Sequence, residues 1–323
     1  MDDTFQHPTA GSFPGTLHYV PPSLCAFEPT KPLAASTNVS TLLWIGGLFD
    51  TQLSTQYPLA IAQALGPTWS VMTASLGSVG KGFGVSSVAR DADDIAKVVT
   101  YIKELRPGGK VVIMGFSTGC QDCMEYATGR NAEKRPPVNG IILQAPVSDR
   151  EGMAAQLPTA FLDEANQLAL KMCREGNERD CLPNRLTKPV FGRVGVSARR
   201  WVDLASPGPN HDGSDDYFSS DFSDERLKRS FGKLPATAPL LILYSGSDGN
   251  VPESVDKDQL VQRWTQIVES AGGIVDAANG GVIKHASHSL TGQSADIVSD
   301  LVGRVAKFLE RIDRGELGGK GRL

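Results

Sequence analysis

The chain of 323 residues is longer than most single domains but fits one large α/β domain that carries an insertion. Its 40% hydrophobic and 21% charged residues are near the average for globular proteins, which excludes a disordered, collagen-like or coiled-coil chain. With 32 Lys and Arg against 36 Asp and Glu the formal net charge is −4, so no basic field attracts nucleic acid or an anionic membrane.

The N-terminal residues and the cysteines bear on where the protein works. Residues 1–15 are acidic, polar and interrupted by Pro and Gly, whereas a secretory signal starts with basic residues and an apolar run. The most apolar stretches, residues 42–49 and 239–244, fall well short of the roughly 20 residues that a membrane helix needs. An odd number of scattered cysteines is typical of thiols in a reducing compartment. We therefore expect a cytoplasmic protein without membrane contact; its cysteines are Cys25, Cys120, Cys123, Cys173 and Cys181.

Short apolar runs bounded by Gly, Pro or Asp alternate along the chain with longer amphipathic stretches. This alternation predicts an α/β fold, with helices packed on a mostly parallel sheet. The predicted strands cover residues 41–45, 69–76, 110–114, 140–144, 239–244 and 280–284. The predicted helices cover residues 56–65, 90–105, 118–128, 253–271 and 294–312.

The alternation breaks between residues 147 and 234. A helical pattern at residues 153–173 is followed by a stretch rich in Ser, Asp, Pro and Gly, which suits either a disordered linker or an insertion over the sheet. Several large apolar side chains in this stretch favour an ordered insertion. We predict four segments: residues 1–146 as the first part of the core, 147–234 as a cap insertion, 235–314 as the second part of the core and 315–323 as a flexible tail.

The predicted strand at residues 110–114 leads into the pentapeptide GFSTG, centred on Ser117, and then into a helix. This is the G-x-S-x-G nucleophile elbow in the strand–turn–helix context that it requires. A sharp turn holds the serine in a strained backbone conformation, and the two glycines let neighbouring segments pass closely. A Gly-rich turn that happens to hold a serine is the alternative, but the flanking strand and helix favour Ser117 as a nucleophile.

A serine nucleophile needs a base, and the chain has five histidines. His7 and His18 precede the predicted sheet, and His211 lies in the polar insertion. His285 and His288 follow the last predicted strand, where α/β-hydrolases carry the base, and the small-residue turn HASHSL favours His288. The alternatives are a surface histidine or a metal-binding H-x-x-H pair, but no neighbouring cluster supplies further metal ligands.

A carboxylate must orient the base, and Asp248 lies in the loop SGSDGNVP after the predicted strand at residues 239–244. Buried there, its carboxylate would accept the imidazole N–H and stabilise the imidazolium. Asp149, after the strand at residues 140–144, is the alternative, because some α/β-hydrolases take their acid from that strand. An Asp-Gly-Asn turn is also common in loops. The chain order Ser117, Asp248, His288 is nevertheless that of the α/β-hydrolases.

The tripeptide GGL at residues 46–48 follows the first apolar strand, where this fold places one oxyanion donor. The helix after Ser117 directs its free N–H groups toward the same point. We expect the backbone N–H groups of Leu48 and Thr118 to hold the developing negative charge. Each donor would contribute on the order of 3 kcal/mol.

Two other motifs predict competing functions. CQDC at residues 120–123 matches the C-x-x-C of redox proteins at a helix start, but the serine elbow explains the same turn. Residues 75–82 resemble a P-loop, yet the first required glycine is replaced by Ser75 and the required Ser or Thr by Gly82. Neither a redox nor a nucleotide-binding role is therefore predicted.

Three strings make a family resemblance specific: GFSTGCQD at residues 115–122, LQAPVSDR at 143–150 and DDYFSSD at 215–221. Over roughly residues 10–312 the chain resembles the fungal siderophore esterases. The resemblance implies an α/β-hydrolase fold, whose cap insertion we expect between the sixth and seventh core strands. In that family, the enzyme that hydrolyses fusarinine C cleaves esters between N-acyl-N-hydroxyornithine units and releases iron inside the cell.

We therefore expect a serine esterase that acts through Ser117, His288, Asp248 and an acyl-enzyme on a hydroxamate siderophore of the fusarinine C or triacetylfusarinine C type. No metal or organic cofactor is required, and ferric iron would arrive with the substrate. No nucleic acid or membrane partner is expected. The alternatives are a general carboxylesterase or lipase acting on an unrelated ester, and an inactive binding protein with a hydrolase fold.

The cap insertion is expected to form the pocket for the acyl and alcohol parts of the substrate. Asp215 or Asp216 would meet the free amines of a fusarinine-type siderophore, whereas a solvated acidic surface is the alternative. Six side chains of the insertion are candidates for substrate contact: Arg199, Arg200, Trp201, Asp215, Asp216 and Tyr217.

Overall fold

One eight-stranded sheet forms the centre of the computed structural model, which describes residues 12–31, 33–34 and 38–317. The strand order is β1-β2-β4-β3-β5-β6-β7-β8, and all pairs from β4 to β8 are parallel. The pairs β1–β2 and β2–β4 are antiparallel. The strands are β1 Gly15–Val20, β2 Leu24–Pro29, β3 Ser40–Ile45, β4 Trp69–Ser75, β5 Val111–Phe116, β6 Gly140–Gln144, β7 Leu240–Ser245 and β8 Gly281–Ile283.

Helices cover both faces of this sheet, which is why the central strands are continuous apolar runs instead of alternating ones. Within β3, Leu43 and Ile45 face a core formed with α2, α3 and α9, while Leu42 and Trp44 face a core formed with α1 and α10. The helices are α1 Tyr57–Ala64, α2 Val88–Leu105, α3 Thr118–Thr128, α4 Asp149–Gln156, α5 Thr159–Arg174, α6 Asn184–Phe191, α7 Ala198–Ala205, α8 Asp224–Lys228, α9 Lys257–Ser270 and α10 Ala295–Asp313.

The α/β fold class and all six predicted strands are confirmed, with ends that shift by one or two residues. Local capping explains one shift: the Ser87 side chain accepts a hydrogen bond from the backbone N–H of Arg90, so α2 begins at Val88 and not at residue 90. The helical pattern at residues 153–173 proves to be two helices, because Pro158 interrupts it.

The hairpin β1–β2 is missing from the prediction. Its first strand has one solvent-facing side, with Leu17 and Tyr19 each 63% exposed, so it lacks the apolar run that marks a buried strand. The placement of His18 before the sheet is therefore wrong, since His18 lies within β1. Its ring contacts Glu28 on β2 at 3.0 Å and Tyr101 on α2 at 2.9 Å. His18 joins the hairpin to the core and lies outside the site described below.

The predicted cap insertion lies between β6 and β7 and contains α4 to α8. It has a third apolar cluster of its own, centred on Trp201 and Phe191. Phe83, from the loop before α2, packs against Phe191 with ring centroids 5.5 Å apart. Phe49, from the loop after β3, contacts Phe83 in turn. These ring contacts connect the insertion to the loop that follows β3.

Candidate active site

Ser117 occupies a tight turn between β5 and α3 and has φ 53° and ψ −123°, a region that non-glycine residues rarely adopt. The turn is possible because two segments approach without side chains. A Cβ on Gly115 would lie 2.1 Å from the carbonyl oxygen of Gly119, and a Cβ on Gly119 would lie 2.3 Å from that of Ile45. The glycines on either side of Ser117 are therefore required by close packing.

The structure brings Ser117, His288 and Asp248 together from three separate parts of the chain. The Ser117 hydroxyl donates to His288 Nε2 at 2.8 Å, and His288 Nδ1 donates to Asp248 Oδ2 at 2.6 Å. Asp248 has no exposed side-chain surface, whereas the imidazole keeps 24% of its surface exposed. This arrangement places a proton acceptor on the serine hydroxyl and a buried negative charge behind the imidazole.

The loops that carry Asp248 and His288 are joined by backbone hydrogen bonds. The N–H of Gly246 donates to the carbonyl of Ile283 at 3.0 Å, and that of Ser247 donates to the carbonyl of Ala286 at 2.8 Å. The N–H of Asn250 donates to Asp248 Oδ1 at 2.9 Å, which holds the carboxylate in place. Because β7 and β8 are parallel neighbours, their carboxyl ends bring both loops to the edge of the sheet where β5 delivers Ser117.

A chain of buried polar side chains leads to the backbone of His288, and the sequence did not predict it. Trp44 Nε1 donates to the Tyr57 hydroxyl at 2.9 Å, which donates to Gln144 Oε1 at 3.0 Å. The Gln144 amide in turn contacts the His288 carbonyl oxygen at 3.5 Å and Ser245 Oγ at 3.2 Å. A polar residue at the end of the apolar strand β6 was the available signal. Gln144 therefore orients the segment that carries the imidazole.

Leu48 and Thr118 are the residues predicted to donate hydrogen bonds to an oxyanion, and both lie near Ser117. Thr118 is the first residue of α3, so its N–H has no acceptor within that helix. Leu48 lies in the loop after β3 and lines the cavity beside Ser117. Asp50 closes this loop by accepting from the Gly47 N–H at 2.9 Å. A Cβ on Gly47 would lie 2.8 Å from the Ser117 Cβ, so the loop passes directly against the serine.

A cavity of about 500 Å³ opens beside the Ser117 hydroxyl. Its walls come from the loop after β3, from α4 and from the C-terminal end of α6, so the cap insertion supplies part of it. The mixture of apolar walls with a few polar groups suits a small organic ligand. The insertion side chains that line it include Val147, Met153, Gln156, Leu157, Val190 and Phe191.

The six insertion side chains predicted to contact substrate are not among those that line this cavity. Nη1 of Arg200 contacts both carboxylate oxygens of Asp215, at 2.6 and 2.8 Å, and both side chains are buried. Arg150 Nε donates to Asp216 at 3.0 Å. These aspartates are therefore held in ion pairs and do not face the cavity.

The other three candidates are likewise engaged elsewhere. The Tyr217 hydroxyl donates to Glu125 at 2.6 Å, Trp201 Nε1 donates to Asn166 at 2.8 Å, and Arg199 Nε donates to Asp203 at 3.0 Å. Arg200 borders a separate cavity of about 30 Å³ behind the loop after β3. The expectation that these residues form the substrate pocket is not met by this geometry, because packing of the cap insertion on the core uses them.

The alternative residues for the triad take different places. His285 is exposed and has φ 61°, and His211 contacts the Ser206 carbonyl within the insertion, while His7 lies outside the described residues. Asp149, the alternative acid, lines the cavity and accepts from Gln121 Nε2 at 3.0 Å. Burial, with Asp215 nearby, raises its pKa to about 7.

The cysteines of the C-x-x-C motif are both buried within α3 and free. Burial raises the pKa of the Cys120 and Cys123 thiols well above the usual value, which opposes the thiolate that redox chemistry needs. Over residues 12–31, 33–34 and 38–317, the structure shows no group of His, Cys, Asp and Glu side chains suited to a metal ion and no helix long and apolar enough to cross a membrane.

Comparison with known proteins assigns the chain to a family. The family described as a protein of unknown function, DUF1749, matches residues 6–310. The fusarinine C esterase sidJ of Aspergillus fumigatus is 33% identical over 94% of this chain and 97% of its own length. Esterase AN6793 of Emericella nidulans is also 33% identical, over 93% of each protein.

Solved structures show the same relationship. The siderophore hydrolase EstB of Aspergillus fumigatus superposes with a TM-score of 0.81 at 35% identity, covering 94% of this chain and 98% of that one. A monoglyceride lipase of Saccharomyces cerevisiae superposes with a TM-score of 0.63 at 13% identity, covering 95% and 98% of the two chains. The second likeness shows the α/β-hydrolase fold alone. The resemblance predicted from three short strings is confirmed.

Proposed function

The chain belongs to the DUF1749 family. We propose that it is a serine esterase that hydrolyses ester bonds of a hydroxamate siderophore. The observation that carries this proposal is the continuous relay from the Ser117 hydroxyl through His288 to buried Asp248, at 2.8 and 2.6 Å. Two relatives with identities of 33 and 35% over nearly the whole chain are named for siderophore hydrolysis, which supports the substrate class.

The first half of the reaction forms an acyl-enzyme. Ser117 Oγ attacks the ester carbonyl carbon while its proton moves to His288 Nε2, and Asp248 stabilises the resulting imidazolium. The carbonyl oxygen becomes an oxyanion, to which the backbone N–H groups of Leu48 and Thr118 donate hydrogen bonds. The C–O bond to the alcohol then breaks, and the leaving alkoxide takes the proton from His288.

The second half returns the free enzyme. A water molecule gives a proton to His288 and attacks the acyl carbon. Collapse of the oxyanion then breaks the bond from the acyl carbon to Ser117 Oγ, which takes the proton from His288 as the carboxylic acid is released. The residues of this cycle need no electron transfer, and ferric iron is part of the substrate. Cleaving the esters of a multidentate chelator separates its iron-binding arms and weakens their hold on the metal.

We place this reaction in the cytoplasm. The described cysteines, from Cys25 to Cys181, are all free thiols, which suits a reducing compartment. Iron release inside the cell would then follow uptake of the loaded siderophore.

Incubation of the purified protein with ferric fusarinine C, followed by mass spectrometry, tests the proposal directly. We expect linear and monomeric hydroxamate acids to appear with time. A fluorophosphonate probe should label the native chain and Ser270→Ala, which removes an exposed serine at the end of α9, but not Ser117→Ala. Simple acyl esters in the same panel separate a siderophore esterase from a general carboxylesterase.

Each part of the proposal has its own contrary result. Probe labelling and acyl-ester turnover without siderophore cleavage would retain the serine mechanism and remove the substrate class. Undiminished hydrolysis by Ser117→Ala would remove the mechanism. Absence of both labelling and turnover would favour a binding protein with a hydrolase fold.

A further inference from the structure

The cavity beside Ser117 has an unbalanced set of charges. Of the described side chains that line it, Asp50 and Asp149 are acidic, and none is Lys or Arg. His288, the proposed base, is the other titratable group on its wall. A ligand that brings a positive charge into this cavity would therefore meet a complementary field.

The two acidic groups differ in what they already do. Asp50 accepts from the N–H of Gly47 at 2.9 Å, the hydroxyl of Ser54 at 2.7 Å and the hydroxyl of Thr55 at 3.0 Å. These three bonds hold the loop that carries Leu48. Asp50 is thus committed to the loop, and its carboxylate has little capacity left for a ligand.

Asp149 is the first residue of α4 and lines the cavity, and it is mostly buried but keeps part of its surface exposed. Its Oδ2 accepts from Gln121 Nε2 at 3.0 Å, while the structure records no partner for Oδ1. The nearby cations are already used, since Arg200 pairs with Asp215 and Arg150 pairs with Asp216. Asp149 therefore faces the cavity with spare hydrogen-bonding capacity and no counter-ion of its own.

We propose that Asp149 selects substrates that carry a protonated amine, by accepting a hydrogen bond from that ammonium group in the cavity. This inference rests on the proposed esterase function and adds a specificity residue to it. The amines were expected to meet Asp215 or Asp216, but the arginine pairs occupy those carboxylates. Asp149 acts on substrate affinity and not on the bond-breaking step, which belongs to Ser117 and His288.

The electrostatic environment supports the assignment. Burial and the like charges of Asp215 and Asp216 raise the pKa of Asp149 to about 7, while Arg200 and His288 act in the opposite direction. A carboxylate that is poorly solvated gains more from a bound cation than one in water does. An ammonium group delivered by the substrate would supply the missing counter-charge and favour the ionised carboxylate.

A graded series of ω-amino-acid esters, from the glycine ester to the aminohexanoate ester, each paired with its N-acetyl form, tests the proposal. For Asp149→Asn, the ratio of kcat/KM for the amine to that for its acetyl partner should fall at least about ten-fold at the best chain length. The loss should lie in KM. Because the intrinsic reactivity of each ester is the same for both enzymes, it cancels in the comparison. Asp163→Asn, which removes an exposed carboxylate on α5, should leave the ratio unchanged.

Two results would overturn the proposal: an unchanged ratio in Asp149→Asn, or an equal loss for the amine and acetyl esters. Asp149→Glu keeps the charge on a longer side chain and should shift the preferred ester to a shorter one, so it carries the test if the Asn variant does not fold. If native protein hydrolyses no ester, the proposed function fails. Calorimetry of the same amine and acetyl pairs on Ser117→Ala, with and without Asp149→Asn, then tests the amine preference on its own.

The pH dependence of KM provides a second test of the proposal. Asp149 is neutral below its raised pKa of about 7 and ionised above it, whereas a distal alkylamine stays protonated until about pH 10. KM for the longer amino esters should therefore fall between about pH 6 and 8. KM for their acetyl partners should not follow, because these esters carry no ammonium group for Asp149 to bind. Parallel profiles for the two members would contradict the assignment.

Discussion

Two of the regions that bury charged side chains lie at the strand ends around Ser117 and beneath the cap insertion around Arg200. At the strand ends, the Asp248 side chain has no exposed surface, whereas its partner His288, which lines the cavity, keeps 24% of its side-chain surface exposed. Beneath the insertion, Arg200 and Asp215 are each only 1% exposed and contact each other. Both regions bring charge into the interior, yet only the first leaves a reactive atom accessible.

The second region lies among several acidic groups of the core. Burial raises the pKa of Asp91 to about 6, and burial with the neighbouring carboxylates raises that of Asp122 well above its usual value. The Arg200 guanidinium opposes both shifts. This cation from α7 therefore offsets negative charge on α2 and α3, which joins the insertion to the core. The environment of a charged residue therefore depends on the groups that pack around it more than on its sequence neighbours.

Replacement of Asp248 is expected to have the largest effect on activity. Asp248→Asn should lower kcat by about 10⁴-fold, because the amide no longer stabilises the imidazolium or selects its tautomer. Steady-state kinetics measures the loss of kcat. The free energy of unfolding in urea should change by far less than the activation free energy does. Asp258→Asn on α9 makes the same change at an exposed carboxylate and should behave as native. Equal kcat values for the two variants would remove Asp248 from the triad.

The reverse pattern is expected beneath the insertion. Arg200→Met leaves Asp215 buried without its counter-ion and should lower the free energy of unfolding by about 3–5 kcal/mol, as measured by urea denaturation. The double variant with Asp215→Leu should recover much of that loss, because the unpaired charge is gone. The kcat of the folded protein should fall much less than in Asp248→Asn. A single-variant loss below about 1 kcal/mol would mean that the pair does not stabilise the insertion.

A smaller effect is expected at Gly47, which lines both the cavity beside Ser117 and the one that Arg200 borders. Gly47→Ala places a methyl group 2.8 Å from the Ser117 Cβ and 3.3 Å from its Oγ. Because either the loop or the serine must move, kcat/KM should fall by about ten-fold to a hundred-fold. The matched control is Gly66→Ala, where no atom lies within 4 Å of the new Cβ. Equal activity in both variants would show that the loop tolerates displacement.

Much of this fold could be predicted because its signals are local. A buried parallel strand is a short apolar run, and a helix repeats its apolar residues every three or four positions. The strands β3 to β8 and the long helices can therefore be predicted from the sequence. The elbow is equally local, since its two glycines and its serine occupy one pentapeptide. The hairpin β1–β2 was not predicted, because its half-exposed first strand lacks such an apolar run. The hairpin lies at the edge of the sheet, where β2 pairs with β4.

The candidate site was predictable in part. Ser117, Asp248 and His288 each follow a predicted strand, and parallel strands deliver their carboxyl ends to one edge, so a meeting of the three was a reasonable expectation. The role of Gln144 was hidden, because its bonds to Tyr57 and to the His288 carbonyl join segments far apart in the chain.

Residue order therefore determined the fold class, the turn at Ser117 and the candidate triad, since strand runs, helix periods and tight turns depend on neighbouring residues. Packing of the insertion on the core determined which acidic side chains reach the cavity. Asp215 and Asp149 are both aspartates of the insertion, and the sequence does not distinguish them. The burial of each charge depends on groups that are distant along the chain. Arg200 closes over the first, while the second lines the cavity.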